Sequence, residues 1–149
     1  MDIIRRGLGL AAAFAAAWLA TFAGAVAAYT GRVFAGYAGL GAEVPVGDVG
    51  ATFAANFAGF APSFGLVVAL ALAVAYPVAA LVRRVVKPLA PVGYPLAGAL
   101  AMTAMILAIE NAYPGAGAIG GARTALGVAL QAAAGAVGGV VFAALRPRA

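Results

Sequence analysis

Gln131 sits in the middle of a long apolar run, and its chemistry is the hardest in the chain to accommodate there. The amide carries two donors and an acceptor, and leaving them unpartnered in hydrocarbon is costly. Gln131 lies eight residues inside Arg123 (131 − 123), about 12 Å along a helix at 1.5 Å per residue. Thr103 stands a comparable distance inside Glu110, and Thr21 a comparable distance inside Tyr29. Three polar side chains at one depth suggest a small hydrogen-bonded cluster. In the alternative arrangement each Thr bonds its own helix carbonyl four residues back, and only Gln131 needs a partner. Glu110 and Arg123 flank one turn and are expected to pair across its mouth as an outer ion pair, worth about 1 kcal/mol or less near an interface. A carboxylate there would also suit a proton-coupled transporter, but relay residues usually sit deeper and in chains.

Most other chemistry lacks its raw material. There is no Cys and no His, and only four Asp and Glu in 149 residues. Thiolate metal sites, Cys nucleophiles and the usual general base are excluded, and paired-carboxylate catalysis has little to work with. A GxGxxG match can be drawn through Gly115, Gly117 and Gly120, but the dinucleotide fingerprint needs a strand before it and a helix after it. The chain is therefore expected not to be an enzyme, with no cofactor and no metal. Its net charge of +5 is spread in short clusters between apolar runs rather than on one solvated face, so nucleic acid is not an expected partner.

A second pattern surrounds Gln131. Arg123, Gly127, Gln131, Gly135, Gly139 and Ala143 recur every four residues, one ridge of a helix. Small residues at that interval flatten the ridge and let another helix backbone come close. The chain holds 21 Gly, so a lone GxxxG arises easily by chance; continuous glycines flanking a polar side chain are more specific. The expectation is a close helix contact through Gly127, Gly135 and Gly139, with the partner helix left open.

The elements that must carry these residues follow from composition. The chain is 66% hydrophobic and 9% charged, with a mean hydropathy of +1.08. Soluble domains are about 25% charged, so much of this surface must face lipid. About 20 apolar helical residues cross a bilayer core, and four segments qualify, at about 7–29, 62–82, 92–110 and 124–145. With the N-terminus inside, seven of the nine Lys and Arg (Arg5, Arg6, Arg83, Arg84, Lys87, Arg146, Arg148) fall on one face and two (Arg32, Arg123) on the other. That is the positive-inside pattern for cytoplasmic termini. The first segment, with Arg5–Arg6 and Ala25-Val26-Ala27, also reads as a cleavable signal peptide, although its apolar run is long for one.

The loop from Thr30 to Ala61 holds Phe53, Phe57 and Phe60, which with Phe64 just beyond it recur at spacings of four, three and four, one face of a helix. Asp48 is a candidate N-cap for it. Such a helix either lies in the outer interface or packs its rings on the other helices. Pro62 suits a first helical turn. Trp18 falls near mid-helix, which favours packing against a neighbour; Tyr29, Tyr94 and Tyr113 sit near span ends like an aromatic belt. Pro77 is expected to bend its helix.

These readings converge on an all-α, polytopic membrane protein: a four-transmembrane-helix bundle with a short outer interfacial helix, one domain over 1–149. Its expected setting is the cell inner (plasma) membrane. The expected partners are the lipid bilayer and either a membrane protein or further copies of the chain. Two roles remain: a structural or accessory subunit binding through small-residue helix faces or its outer loop, and a small transporter or channel with Gln131, Thr103 and Glu110 along its path.

Overall fold

In a computed structural model the chain forms five α-helices: α1 (Asp2–Gly39), α2 (Val46–Phe60), α3 (Leu66–Val85), α4 (Gly93–Ala112) and α5 (Ala125–Leu145). The structure describes residues 2–43, 45–89, 91–113 and 124–147. Four helical stretches are long and apolar enough to cross a membrane: α1, the run from α2 through α3, α4 and α5. The fold is an all-α four-helix bundle of membrane-spanning type.

The expected span ends hold within a few residues for α4 and α5 and move at α1 and α3. Thr124 caps α5, its hydroxyl accepting the Gly127 N–H at 3.1 Å. This satisfies one of the four free N–H groups of the first turn. α1 does not stop near Tyr29 but continues for ten more residues to Gly39. It ends at Gly41, whose φ of +77° is the only positive one among the described residues. Ala42 N–H bonds Tyr37 C=O and Gly41 N–H bonds Ala38 C=O, the paired bonds of a Schellman cap that needs glycine in the left-handed region.

Pro62 does not begin the second span. The chain is helical without interruption from Val46 to Val85, passing through one π-turn at Ala61–Gly65. The reason is local: Pro62 offers no N–H and crowds the preceding turn, and a π-turn is one way a helix absorbs such a defect without ending. The short helix expected near Asp48 is α2, with Pro45 rather than Asp48 at its N-cap and Asp48 in its first turn.

α5 is the central element, packed between α1 on one side and α4 on the other; α3 packs mainly on α4, and α2 on α1. The bundle is inside-out relative to a soluble protein. Leu70, Val74, Leu81, Leu100 and Val137 point outward, while Ala13, Ala17, Gly135, Gly138 and Gly139 are buried. Lipid is as apolar as leucine, so aliphatic side chains gain little by turning inward, and close backbone packing decides the interior.

The helix ends agree on one axis. Pro147 lies against Gly9, and Arg83 and Arg146 both reach Tyr94. This basic end of the bundle also carries Arg5, Arg6, Arg84 and Lys87. The α1–α2 turn lies at the far end.

Candidate functional site

The two flanks of α5 are built on missing side chains. Toward α4, a Cβ on Gly135 would strike the Gly98 carbonyl, and one on Gly98 would strike the Gly135 carbonyl. A Cβ on Gly139 would strike the carbonyl of Tyr94 and, at 2.6 Å, the Cα of Pro95. Gly135 and Gly139 therefore seat α5 backbone-to-backbone on α4. Toward α1, a Cβ on Gly138 would meet the Thr21 hydroxyl and, at 2.8 Å, the Ala17 carbonyl. Gly24 faces Ala134, whose Cβ would lie 3.1 Å from one placed on Gly24. Gly127 is buried at the far end of α5. The four-residue ridge identified Gly135 and Gly139; Gly98, Gly138 and Gly24 do not stand on it. Gly138 was visible only as the neighbour of Gly139, on a second ridge of the same helix.

Gln131 is 1% exposed and lies on the α1 flank. Its Nε2 donates to the Ala25 carbonyl at 3.1 Å, while its Oε1 has no hydrogen-bond partner. The Ala25 carbonyl belongs to a helix and already accepts along α1 in the ordinary pattern, so the amide adds a second bond to its free lone pair. Thr103 does not join it: its hydroxyl donates to Ala99 C=O at 3.0 Å, four residues back on α4. Thr21 is fully buried one turn from Ala25, facing the Tyr76 hydroxyl. Neither hydroxyl makes a hydrogen bond of ordinary geometry. The three side chains are thus separate and not all at one depth: Gln131 bonds another helix level with Ala25, Thr103 bonds its own helix, and the Thr21 hydroxyl packs against Gly138, further along α5.

Each spanning helix contributes one ring to an aromatic cluster nearer the basic end. Tyr76 of α3 stacks on Phe142 of α5 at 4.3 Å between centroids, and Tyr94 of α4 meets Phe142 edge-on at 4.9 Å. Phe14 of α1 meets Tyr76 edge-on at 6.3 Å. These are the offset and T-shaped contacts that aromatic quadrupoles prefer. Arg83 and Arg146 place their guanidinium carbons 4.6 and 5.0 Å from the Tyr94 ring centroid, within cation–π range. Tyr94 is therefore a buried hub rather than a belt residue, 4% exposed. Its position near a span end misled because α3, α5 and two arginines cover it. No periodicity links four rings on four helices.

Toward the far end a second aromatic group ties α1 to the α2–α3 run. Trp18 Nε1 donates to Gly65 C=O at 2.7 Å, the last residue of the π-turn. Its ring is parallel to that of Phe22 at 5.8 Å. Phe22 also contacts Phe57 and Phe64, and Tyr29 meets Phe60 edge-on. The helical face of phenylalanines thus packs on α1, and Asn56 donates to the Thr30 hydroxyl at 3.1 Å beside it. Glu110 is exposed near the end of α4; Arg123, its expected partner, lies outside the described residues.

Comparison with protein-family models, with curated proteins and with solved structures returns no match. The class rests on architecture: an all-α membrane protein with a tightly packed glycine seam and an aromatic interior.

Proposed function

We propose that this chain is a structural or accessory subunit of the cell inner (plasma) membrane, without catalytic activity, that engages a membrane partner through its far-end hairpin. The observation carrying this reading is how far the hairpin stands beyond the rest of the bundle. Gln131 is level with Ala25 on the antiparallel α1. Six residues further along each helix bring Ala125, where α5 begins, level with Gly31. Arg32–Gly39 then continue for about 12 Å, and Val46–Ala55, beyond the Asn56–Thr30 bond, for about 15 Å. The headgroup layer adds only about 5–7 Å on each side of the hydrocarbon core, so the tip clears it.

That tip is unusually apolar for a segment beyond the membrane. Leu40 and Val46 are 85% and 87% exposed, and α2 buries no residue. Gly36, Gly39, Gly47 and Gly50 have open space where a side chain would be. Exposed apolar patches mark interaction sites, and a small-residue face admits a close helix approach. The α5 small face, the other surface considered for a partner, is occupied within the chain by α1 and α4. The bond from Gln131 to Ala25 favours packing over conduction as the role of that amide. Both termini are taken as cytoplasmic on the seven-to-two division of Lys and Arg.

The test is partner retention in mild detergent. Leu40→Ser with Val46→Ser should lose a co-purifying protein at unchanged melting temperature, while the lipid-facing pair Leu70→Ser and Val137→Ser should retain it. Equal retention by both double variants would remove the hairpin as the docking surface.

A further inference from the structure

We infer that the groove between α3 and α4 is a binding site for one anionic phospholipid, with an acyl chain in the groove and the phosphate at its basic end. The groove encloses about 920 Å³. Half-buried Ala71, Ala75, Ala97 and Ala101 line its depth, and exposed Val74 and Leu100 form its rims. On α3 it runs from Val67 to Val82, about 22 Å by helical rise. One leaflet of hydrocarbon is about 15 Å deep, so a single acyl chain lies within that length. An apolar channel floored by alanine offers dispersion contacts along a chain and no polar side chain for a substrate to bond.

Charge selects the headgroup. The groove ends at Val82, Leu89 and Gly93, and the cations of this end follow directly: Arg83, Arg84 and Lys87 lie between the first two. Arg83 packs its stem against Gly93 and its head over Tyr94, closing the mouth from α3 to α4. Arg84 and Lys87 are exposed beside it. From Val49 to Ile109 the sequence contains no Asp or Glu, and Glu110, the one acid on the two flanking helices, lies at the opposite end of α4. The N-terminus of α4 opens at the same mouth, with no side-chain cap and no acid in its first turn, and adds potential of the same sign. Basic pockets between membrane helices are where anionic headgroups dock.

The full-length protein in a neutral detergent is titrated with phosphatidylglycerol, with phosphatidylcholine of the same acyl chains, and with inorganic phosphate. Bound lipid is counted by native mass spectrometry and the melting midpoint is followed in parallel. The expected result is one retained phosphatidylglycerol, preferred over phosphatidylcholine by roughly tenfold or more, since each basic group near the surface contributes about fivefold. Arg84→Gln with Lys87→Gln should lower that preference severalfold, and Val74→Trp, crowding the groove from its rim, should remove retention itself; both variants change exposed positions and leave the lipid-free melting unchanged. Equal retention of the two lipids by the parent, a preference undiminished in the Arg84/Lys87 variant, or displacement by phosphate alone would overturn the proposal. So would efficient disulfide cross-linking of two copies through Leu100→Cys in this cysteine-free chain, which would make the groove an interface between copies.

Discussion

The two sides of α4 are built by different rules. Against α5 it presents Gly98, and the two backbones meet with no side chain between them. Against α3 it presents alanines and leucines that leave an open groove. Both surfaces are apolar, so hydrophobicity does not distinguish them. In lipid the difference lies in how closely backbones approach and in the few polar bonds that cross. α5, whose four glycines are all buried, is held between α1 and α4, while α3 turns its valines and leucines outward except Val68 and Leu72. Greasiness alone does not place a helix at the centre of a membrane protein.

Breaking the tight side should have the largest effect. Gly135→Leu must push α5 off α4, since even a Cβ there meets the Gly98 carbonyl. Destabilisation of about 3 kcal/mol or more is expected for such overpacking, read as a lower denaturant midpoint in detergent. Val137→Leu, two residues along on the lipid face, is the matched control and should lie within about 0.5 kcal/mol of the parent. Equal melting of the two variants would mean that the glycine seam does not hold the bundle.

Next comes charge at the centre of the seam. Gln131→Glu places a carboxyl where the amide is 1% exposed, and an ionised side chain at that depth costs about 2.5–3.5 kcal/mol. The variant should therefore melt below the parent at neutral pH. Detergent melting checks this, and a Gln131→Glu variant as stable as the parent would contradict burial of this side chain.

A smaller effect sharpens the comparison at the π-turn. Trp18→Phe removes the bond to Gly65 C=O but keeps a ring beside Phe22, so a loss of about 1 kcal/mol is expected. Trp18 is the only tryptophan, so the parent's fluorescence reports this one contact. Its emission should shift on unfolding together with helix content, whereas an early, separate shift would show that α1 and the π-turn part first.

The smallest expected effect belongs to the residue that the sequence made most conspicuous. Gln131→Leu loses one membrane hydrogen bond, worth about 0.6 kcal/mol on average, and also removes an Oε1 that has no partner. The two nearly offset, and a change under about 1 kcal/mol in detergent unfolding is predicted. A loss several times larger would mean that the amide organises more of the interior than its bond to Ala25.

The four spans could be read in advance because each rests on a local quantity, the apolar content of about 20 consecutive residues and the charges at its ends. The Gly135–Gly139 ridge was legible for the same reason, being a repeat within one helix. What the ridge packs against was not, because Gly98 and Gly138 become significant only once α4 and α1 are brought to its two sides. The outcome at Thr103 was one of two local options. Choosing between them required knowing whether another helix offered a partner at that depth.

Sequence alone determined that the chain is helical, that it is built for lipid, and where its charges fall, since these follow from composition summed along the chain. Tertiary structure decided the rest. It joined α2 to α3 through Pro62, carried α1 past the expected membrane edge, and gathered Phe14, Tyr76, Tyr94 and Phe142 into one cluster. These are non-local outcomes. With lipid as solvent the apolar pattern hardly separates an inward face from an outward one, so the pairing of helices is settled by backbone fit that no single segment records.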